Sequence, residues 1–224
     1  MAFRRLIIDR SASPARLMNI HVWGWFWLSG QSDARFLAII LENKIMLVGV
    51  PKEIKTREFR VGLVPSSVAE LVDRGHQVVV ESKAGAGIGA SDEQYCAAGA
   101  EIVELAAEVF ARADMIVKVK EPQPSECVQL SANQIIFAYL HLAADAPQAY
   151  ALAHSGCTAI AYETITDDAG GLPLLAPMSE VAGRLAVIEG ASHLKANVGG
   201  RGVLISGVPG TSPAEVLVLG GGVV

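Results

Sequence analysis

Residues 76–120 read HQVVVESKAGAGIGASDEQYCAAGAEIVELAAEVFARADMIVKVK, and this stretch decides the fold class. Three of its apolar runs, HQVVVE, AEIVE and DMIVKVK, are rich in Val and Ile and lack a clean polar alternation. Runs of this kind are typical of parallel strands that are buried on both faces. The segments between them, SDEQYCAAG and LAAEVFARA, have the pattern of short helices. We therefore predict strand–helix–strand units that form a parallel sheet.

The same alternation continues on both sides of this stretch. Further strands are predicted in MLVGV, QIIFAYLH and TAIAYET, and further helices in PSSVAELVDRG and DAPQAYALAHSG. Ser66 and Ser67 are the predicted caps of the first of these helices. The whole pattern predicts an α/β protein, with a parallel sheet covered by helices on both faces.

Glycines and prolines in the segment DDAGGLPLLAP interrupt the alternation of strands and helices. We therefore place a domain boundary near residue 175. A long helix is predicted to follow from about Ser179 to Lys195, with Ser179 as its N-cap. The closing segment, AEVLVLGGGVV, is predicted to begin a new strand at its apolar run.

The first 45 residues differ in character from the rest of the chain. All three tryptophans lie in HVWGWFWL, but this apolar run is only about eight residues long, whereas a membrane-spanning helix needs about twenty. A second possible start of the protein, with its own methionine, follows at Met46. We interpret residues 1–45 as an extension outside the folded domain.

Composition excludes several classes of protein. Hydrophobic residues make up 51% and charged residues 18%, which predicts a folded core rather than disorder. The net charge of -5, with no basic cluster, argues against nucleic-acid binding. Cys96, Cys127 and Cys157 form no CxxC pair, so they suit neither a metal site nor a disulfide framework. We interpret them as buried thiols in a reducing cytoplasm.

Two glycine-rich stretches are candidates for phosphate binding. GAGIGA (85–90) fits the dinucleotide pattern weakly, because its last small residue precedes the next helix and Asp92 would repel a phosphate. A simple turn is the better interpretation there. In VLVLGGGVV, Gly220 and Gly222 occupy the first two glycine positions after an apolar strand, and the third position would fall just past Val224.

From Met46 onward the sequence resembles the alanine dehydrogenase family, which is related to the N-terminal region of nicotinamide nucleotide transhydrogenase. The matching segments, in family order, are VGVPKEIKTREFRVGLVP, RGHQVVVE, IVKVKEP, FAYLHLA, AYET, LPLLAPMSEVAGRLA, GGRGVLISGVPG and EVLVLGGG. The resemblance implies a flavodoxin-like or Rossmann-like substrate domain at 46–175. It also implies that 176–224 hold a connecting helix and the first strand of an incomplete NAD-binding domain.

The resemblance implies an activity and its partners as well. Family members oxidise L-alanine reversibly with NAD to pyruvate and ammonia, are cytoplasmic, and form homo-oligomers such as hexamers. From the net charge and the short apolar run of this sequence, we expect binding to neither nucleic acid nor membranes. Because the match stops inside the glycine fingerprint, we expect a truncated dehydrogenase with little or no activity. Preference for alanine over glycine stays open, since one methyl group is worth only about 1–3 kcal/mol in a pocket.

Three residues are expected to contact the substrate. Arg60, in EFRVGLVP, matches an arginine that holds the substrate carboxylate, although by itself it could be a surface arginine. Lys120, in KVKEP, matches a second substrate-binding residue. Lys118 shares its face of the strand, so only the resemblance favours Lys120. His141, in YLHLA, matches the catalytic acid and base, a role that suits the titration of imidazole near neutral pH.

The cofactor contacts implied by the resemblance lie further along the chain. Ser179 would contact the NAD phosphate or ribose, and Met178 would lie near the nicotinamide. A catalytic aspartate is expected from the part of the NAD domain that this sequence does not contain. Two alternatives stay open: the N-terminal region of a transhydrogenase α-subunit, which the segments KVKEP and LHLA argue against, and a non-catalytic module that binds a small carboxylate or a partner.

Overall fold

The computed structural model describes residues 2–3 and 45–224, so the predicted extension at 1–45 lies almost wholly outside the described residues. The chain divides into two compact units, one that ends at Ile165 and one that runs from Thr166 to Val224. Each unit is described by itself below.

The centre of the first unit is a parallel sheet, and within the described residues it has six strands. These strands are β2 (Leu47–Val50), β3 (Gln77–Glu81), β4 (Glu101–Val103), β5 (Met115–Val117), β6 (Ile135–Ala138) and β7 (Thr158–Ala161). Their order is β4-β3-β2-β5-β6-β7, and every neighbouring pair is parallel. The predicted fold class is therefore confirmed. Two-residue strands at Ala2–Phe3 (β1) and Ile165–Thr166 (β8) lie outside this sheet.

Helices connect successive strands of the sheet. They are α1 (Pro65–Asp73), α2 (Asp92–Ala97), α3 (Ala106–Arg112), α4 (Pro124–Cys127) and α5 (Ala146–Ser155). Buried residues form two clusters, and neighbouring strand residues fall into different clusters: Val79 and Ile116 lie in one, Val80 and Val117 in the other. Because alternate side chains of a strand point to opposite faces, the two clusters are the two sides of the sheet.

Only some of the helix caps are those that the sequence indicates. Ser91 caps α2 and accepts a hydrogen bond from the backbone N–H of Gln94, whose side chain completes a capping box. The predicted caps of α1 are wrong, because that helix begins at Pro65 and its N-cap, Val64, makes no side-chain cap. Proline suits the first helical position, since its φ is already helical and its missing N–H would lack a partner there.

The second unit contains one long helix, α6 (Ala176–His193). Its predicted cap is also wrong, because Ser179 lies inside the first turn, where its N–H donates to the carbonyl of Leu175 at 3.2 Å. No helix in the described part of the chain is long and apolar enough to cross a membrane.

The apolar run after α6 does not form the strand that its composition predicts. Leu217 and Leu219 are 82% and 88% exposed, and no strand is present over 214–224. A strand is stable only when a neighbour satisfies its backbone hydrogen bonds. None of the described residues supplies that neighbour. Apolar composition alone is therefore insufficient to form a strand here.

Candidate active site

The strand order reverses at the middle of the sheet, where open α/β sheets have a crevice beyond the strand ends. From β2 the chain builds outward through β3 and β4, and then returns to build β5, β6 and β7 on the other side. Ligands bind in open α/β sheets at such a switch point, beyond the carboxyl ends of the strands. The segments that follow β2, β5 and β6 carry Arg60, Lys120 and His141 respectively.

Arg60 is held by a carboxylate two residues before it. Its Nε and Nη2 donate to Oε1 and Oε2 of Glu58 at 2.8 and 2.7 Å, and its backbone N–H donates to Oε1 at 2.9 Å. These hydrogen bonds from Arg60 are the main reason why the pKa of Glu58 falls to about 2, with a smaller contribution from the charge of Lys120. The side chain of Arg60 remains 46% exposed and is thus accessible to a ligand.

Two glycines allow other backbone segments to approach the Arg60 loop closely. A Cβ at Gly62 would lie 2.3 Å from the carbonyl oxygen of Val117 in β5. A Cβ at Gly87 would lie 2.3 Å from the carbonyl oxygen of Phe59. Gly87 belongs to GAGIGA, which forms a short 3-10 turn at Ala86–Ile88. The segment GAGIGA is therefore a turn, as predicted, and it packs against Phe59 in the Arg60 loop.

The structure shows that Lys118 and Lys120 have different surroundings, a difference that their spacing in the sequence could not reveal. Lys118 is fully buried, and its Nζ lies 2.7 Å from Oε1 of Glu126 and 3.2 Å from Oε2 of Glu53. Lys120 is partly exposed, and its backbone N–H donates to Oε1 of Glu53 at 3.3 Å. Lys118 is therefore a structural residue, whereas the ammonium of Lys120 makes no ion pair with any residue in the described ranges.

His141 begins the turn after β6 in an unusual backbone conformation. Its φ is 48°, in the left-handed region, and its N–H donates to Oε1 of Glu163 at 2.8 Å. The N–H of Leu140 donates to the same carboxylate at 3.2 Å. The imidazole is exposed and stacks on the ring of Tyr139, with 5.9 Å between ring centroids. Glu163 therefore holds the turn that presents the imidazole.

Tyr139 interacts with both His141 and Arg60. Burial raises the pKa of its hydroxyl and the charge of Glu163 adds to this, whereas the charge of Arg60 acts in the opposite direction. Glu58 thus interacts with Arg60 and with the charge of Lys120, and Tyr139 interacts with His141 and with the charge of Arg60. Sequence reasoning did not identify Glu58, Tyr139, Glu163 or Glu53. Glu58 and Glu163 stand in the quoted segments EFRVGLVP and AYET, but their roles depend on contacts that the segments do not reveal.

The predicted cofactor residues all lie in the second unit. Met178 and Ser179 are half-buried near the start of α6. Gly220 has a φ of 102°, which favours glycine, and Gly222 is exposed. Their contacts with NAD stay predictions.

The cysteines do not all match their interpretation as buried thiols. Cys127 is buried and Cys157 partly buried, but Cys96 is exposed on α2, so that part of the prediction is wrong. All three are free thiols. Burial raises the pKa of Cys127 to about 11 and that of Cys157 above its usual value. No cluster of three or more His, Cys, Asp or Glu side chains that could hold a metal ion is present among the described residues.

The parallel sheet, with its strand order reversed at a switch point, places the chain among the open α/β proteins. Comparison with known families makes this class specific. Residues 49–182 match the family described as alanine dehydrogenase/PNT, N-terminal domain, and residues 186–224 match alanine dehydrogenase/PNT, C-terminal domain. The chain belongs to the alanine dehydrogenase/PNT family.

Individual relatives agree with this assignment. The chain is 54% identical over 177 residues to alanine dehydrogenase of Mycolicibacterium smegmatis, covering 79% of this chain and 48% of that protein. It is 55% identical over 179 residues to alanine dehydrogenase of Halomonas elongata, covering 80% and 48%. The chain therefore spans about half the length of the curated relatives it matches.

Solved structures give the same result. An L-alanine dehydrogenase superimposes with a TM-score of 0.74 and 53% identity, covering 80% of this chain and 49% of that one. A transhydrogenase from Sinorhizobium meliloti superimposes with a TM-score of 0.59 and 30% identity, covering 66% and 44%.

Proposed function

We propose that the chain is the substrate-binding part of an NAD-dependent alanine dehydrogenase, which converts L-alanine reversibly to pyruvate and ammonia. The observation that supports this proposal is that Arg60, Lys120 and His141 follow the carboxyl ends of the neighbouring strands β2, β5 and β6. Higher identity to alanine dehydrogenases than to the transhydrogenase favours this function over the transhydrogenase alternative.

Each residue has a distinct role in this proposal. The guanidinium of Arg60 forms paired hydrogen bonds with the substrate carboxylate, while Glu58 fixes its orientation. The ammonium of Lys120 contacts the same carboxylate or the neighbouring carbonyl oxygen. His141 exchanges a proton with the nitrogen or oxygen on the substrate Cα, since imidazole binds and releases protons near neutral pH. Together the two cations fix the acid so that its reacting carbon faces the imidazole.

We propose NAD as the hydride acceptor of the whole protein. A dinucleotide normally lies over a strand–turn–helix cradle. The glycine run at 220–222 is exposed, and the described residues form no strand or helix around it. These residues alone therefore do not fit the cofactor, and we expect the 224-residue chain to reduce little or no NAD with alanine. We propose in addition that the whole protein is cytoplasmic and assembles as a homo-oligomer, such as a hexamer.

Binding of pyruvate by the 224-residue chain tests the carboxylate site without needing turnover. Calorimetric titration at low ionic strength is expected to show binding that R60M and K120M each weaken at least about tenfold, the usual scale for a charge-assisted hydrogen bond. R74M removes a distant, exposed arginine of an ion pair that follows α1 and is the matched control.

The outcomes separate the candidate functions. Equal binding by wild type and R60M would contradict the assigned site. Pyruvate binding that depends on Arg60 in a chain that stays inactive with NAD fits both the substrate-binding part of a dehydrogenase and a carboxylate-binding module. Activity that appears when a relative's NAD domain is joined to the chain would then exclude the module.

A further inference from the structure

We propose that Glu58 makes this site selective for acids with a single negative charge, because it cancels one of the two positive charges that face the substrate. The inference rests on the proposed function, since it concerns the same carboxylate site. It assigns to Glu58 a role in specificity, in addition to its orientation of Arg60.

The contact between Glu58 and Arg60 is close, and the carboxylate is its less exposed partner. Glu58 accepts hydrogen bonds from three nitrogens of Arg60, at 2.7 to 2.9 Å. The side chain of Glu58 is only 7% exposed, whereas that of Arg60 is 46% exposed. Solvent therefore reaches the guanidinium far more than the carboxylate that neutralises it. The pKa of Glu58, lowered to about 2 chiefly by these hydrogen bonds, keeps its negative charge at neutral pH.

The cations near this pair differ in their partners. Lys118 lies between Glu53 and Glu126, and Lys55 pairs with Glu121. Arg60 and Glu58 together carry no net charge. Lys120 is the other cation whose charge lowers the pKa of Glu58, and its ammonium makes no ion pair with any residue that the structure describes.

With Arg60 neutralised by Glu58, the remaining cation beside this pair, Lys120, suits a substrate with one carboxylate. Arg60 still contributes directional hydrogen bonds, because a guanidinium has five N–H donors and can serve two carboxylates. A second substrate carboxylate close to Arg60 would be repelled by Glu58. Selectivity of this kind depends on the repulsion of the wrong ligand as well as on attraction of the right one.

The experiment compares two acids that share the 2-oxo acid group. Pyruvate carries one carboxylate and oxaloacetate carries two. Dissociation constants are measured by calorimetric titration of the 224-residue chain, at low ionic strength, for wild type, E58Q and E58D. E58Q removes the charge but keeps the size of the side chain, whereas E58D keeps the charge. E70Q changes an exposed glutamate that pairs with Arg74 and is the matched control.

We expect wild type, E58D and E70Q to prefer pyruvate. E58Q should shift the ratio of the two dissociation constants toward oxaloacetate on the order of tenfold, the effect of one charge a few ångströms away in a partly solvated site. The shift should shrink as salt screens the charges. If E58Q fails to fold, as shown by its circular dichroism, E58A carries the same test with the same expected direction.

The outcomes distinguish this inference from the proposed function. Wild-type binding of pyruvate, with an unchanged ratio in E58Q or E58A, overturns the selectivity role of Glu58 and leaves the proposed function intact. An equal loss of affinity for both acids has the same meaning, because it shows that Glu58 only orients Arg60. Absence of pyruvate binding by the wild type overturns both.

Discussion

At the scale of single residues, Lys118 and Lys120 show how strongly surroundings decide the role of a side chain. Both follow the apolar part of β5 and both carry an ammonium group. Lys118 is buried between two carboxylates, whereas Lys120 is partly exposed at the crevice. A buried charge persists only when its partners replace the lost hydration, so Glu53 and Glu126 determine that Lys118 is structural.

Substitution K118M is expected to lower the free energy of unfolding by about 3–5 kcal/mol, because it leaves two buried carboxylates without their cation. Urea denaturation measures this change. The triple variant K118M/E53Q/E126Q removes all three charges and should recover part of the loss. A K118M protein as stable as the wild type would contradict the buried network.

The Glu58–Arg60 pair predicts a pH dependence of stability. Its hydrogen bonds lower the pKa of Glu58 from 4.5 to about 2, so the folded state favours the ionised form. This stabilisation is fully present above pH 4.5 and is lost as the pH falls toward 2. Solvent screening limits it to about 1 kcal/mol or less. The difference in unfolding free energy between wild type and E58Q should therefore shrink over this range. A difference that stays constant with pH would contradict the assignment.

At the scale of elements, the segment between β2 and α1 is a loop that other elements hold in place. Gly62 allows it to pass over the backbone of β5, and Gly87 allows a neighbouring turn to touch it at Phe59. The hydroxyl of Tyr95, in α2, donates to the carbonyl of Leu63 at 2.8 Å. Arg60 lies within the stretch that these contacts fix, so its position depends on segments that are distant in sequence.

Substitution G87A tests this dependence. The new Cβ would lie 2.3 Å from the carbonyl oxygen of Phe59, so the loop must move. We expect the free energy of unfolding to fall by about 1–3 kcal/mol, as for other overpacked sites, and pyruvate binding to weaken. Denaturation and calorimetric titration measure the two effects.

Gly190 supplies the control for this prediction. It lies within α6, and a Cβ there would meet no atom within 4 Å. G190A should therefore stabilise by about 0.5–1 kcal/mol or be neutral, because alanine favours a helix over glycine. Unchanged pyruvate affinity in G87A would show that the turn does not position Arg60.

At the scale of the whole molecule, the two units differ in how much they bury. The first contains both clusters of buried residues, whereas no residue of 166–224 is buried. Apolar side chains such as Ile188 and Leu219 are 60% and 88% exposed there. Hydrophobic burial is the main source of stability, so the second unit has little of its own.

Limited proteolysis with thermolysin is expected to cut within 166–224 before it cuts between residues 46 and 165, because exposed apolar residues in an unpacked segment are its preferred targets. Mass spectrometry of the early fragments identifies the order of cleavage. Exposed apolar surface also predicts self-association, which sedimentation velocity should reveal as a size that grows with concentration. Early cleavage inside the sheet, or a concentration-independent monomer, would contradict this view of the second unit.

Much of the first unit could be predicted from sequence because its signals are local. Val/Ile-rich runs mark strands directly, and the Ser91 cap marks the start of a helix. The predictions failed where a neighbour decides the outcome. The run at Val216–Leu219 is apolar enough for a strand, but no described residue pairs with it. Helix α6 begins at Ala176, before Ser179. Leu175 is its N-cap, and the N–H of Ser179 already donates to the carbonyl of Leu175.

The sequence by itself determined the α/β class, through the alternation of apolar runs and helical segments, and the family, through segments that can be recognised along the chain. The choice of Arg60, Lys120 and His141 came from that family resemblance, since spacing alone did not separate Lys120 from Lys118. Only the tertiary structure decided that Glu58 holds Arg60, that Lys118 is buried and Lys120 accessible, and that Glu163 supports the turn of His141. These outcomes depend on distances, burial and hydrogen-bond partners, and most of them join residues far apart in sequence that only the strand order of the sheet brings together.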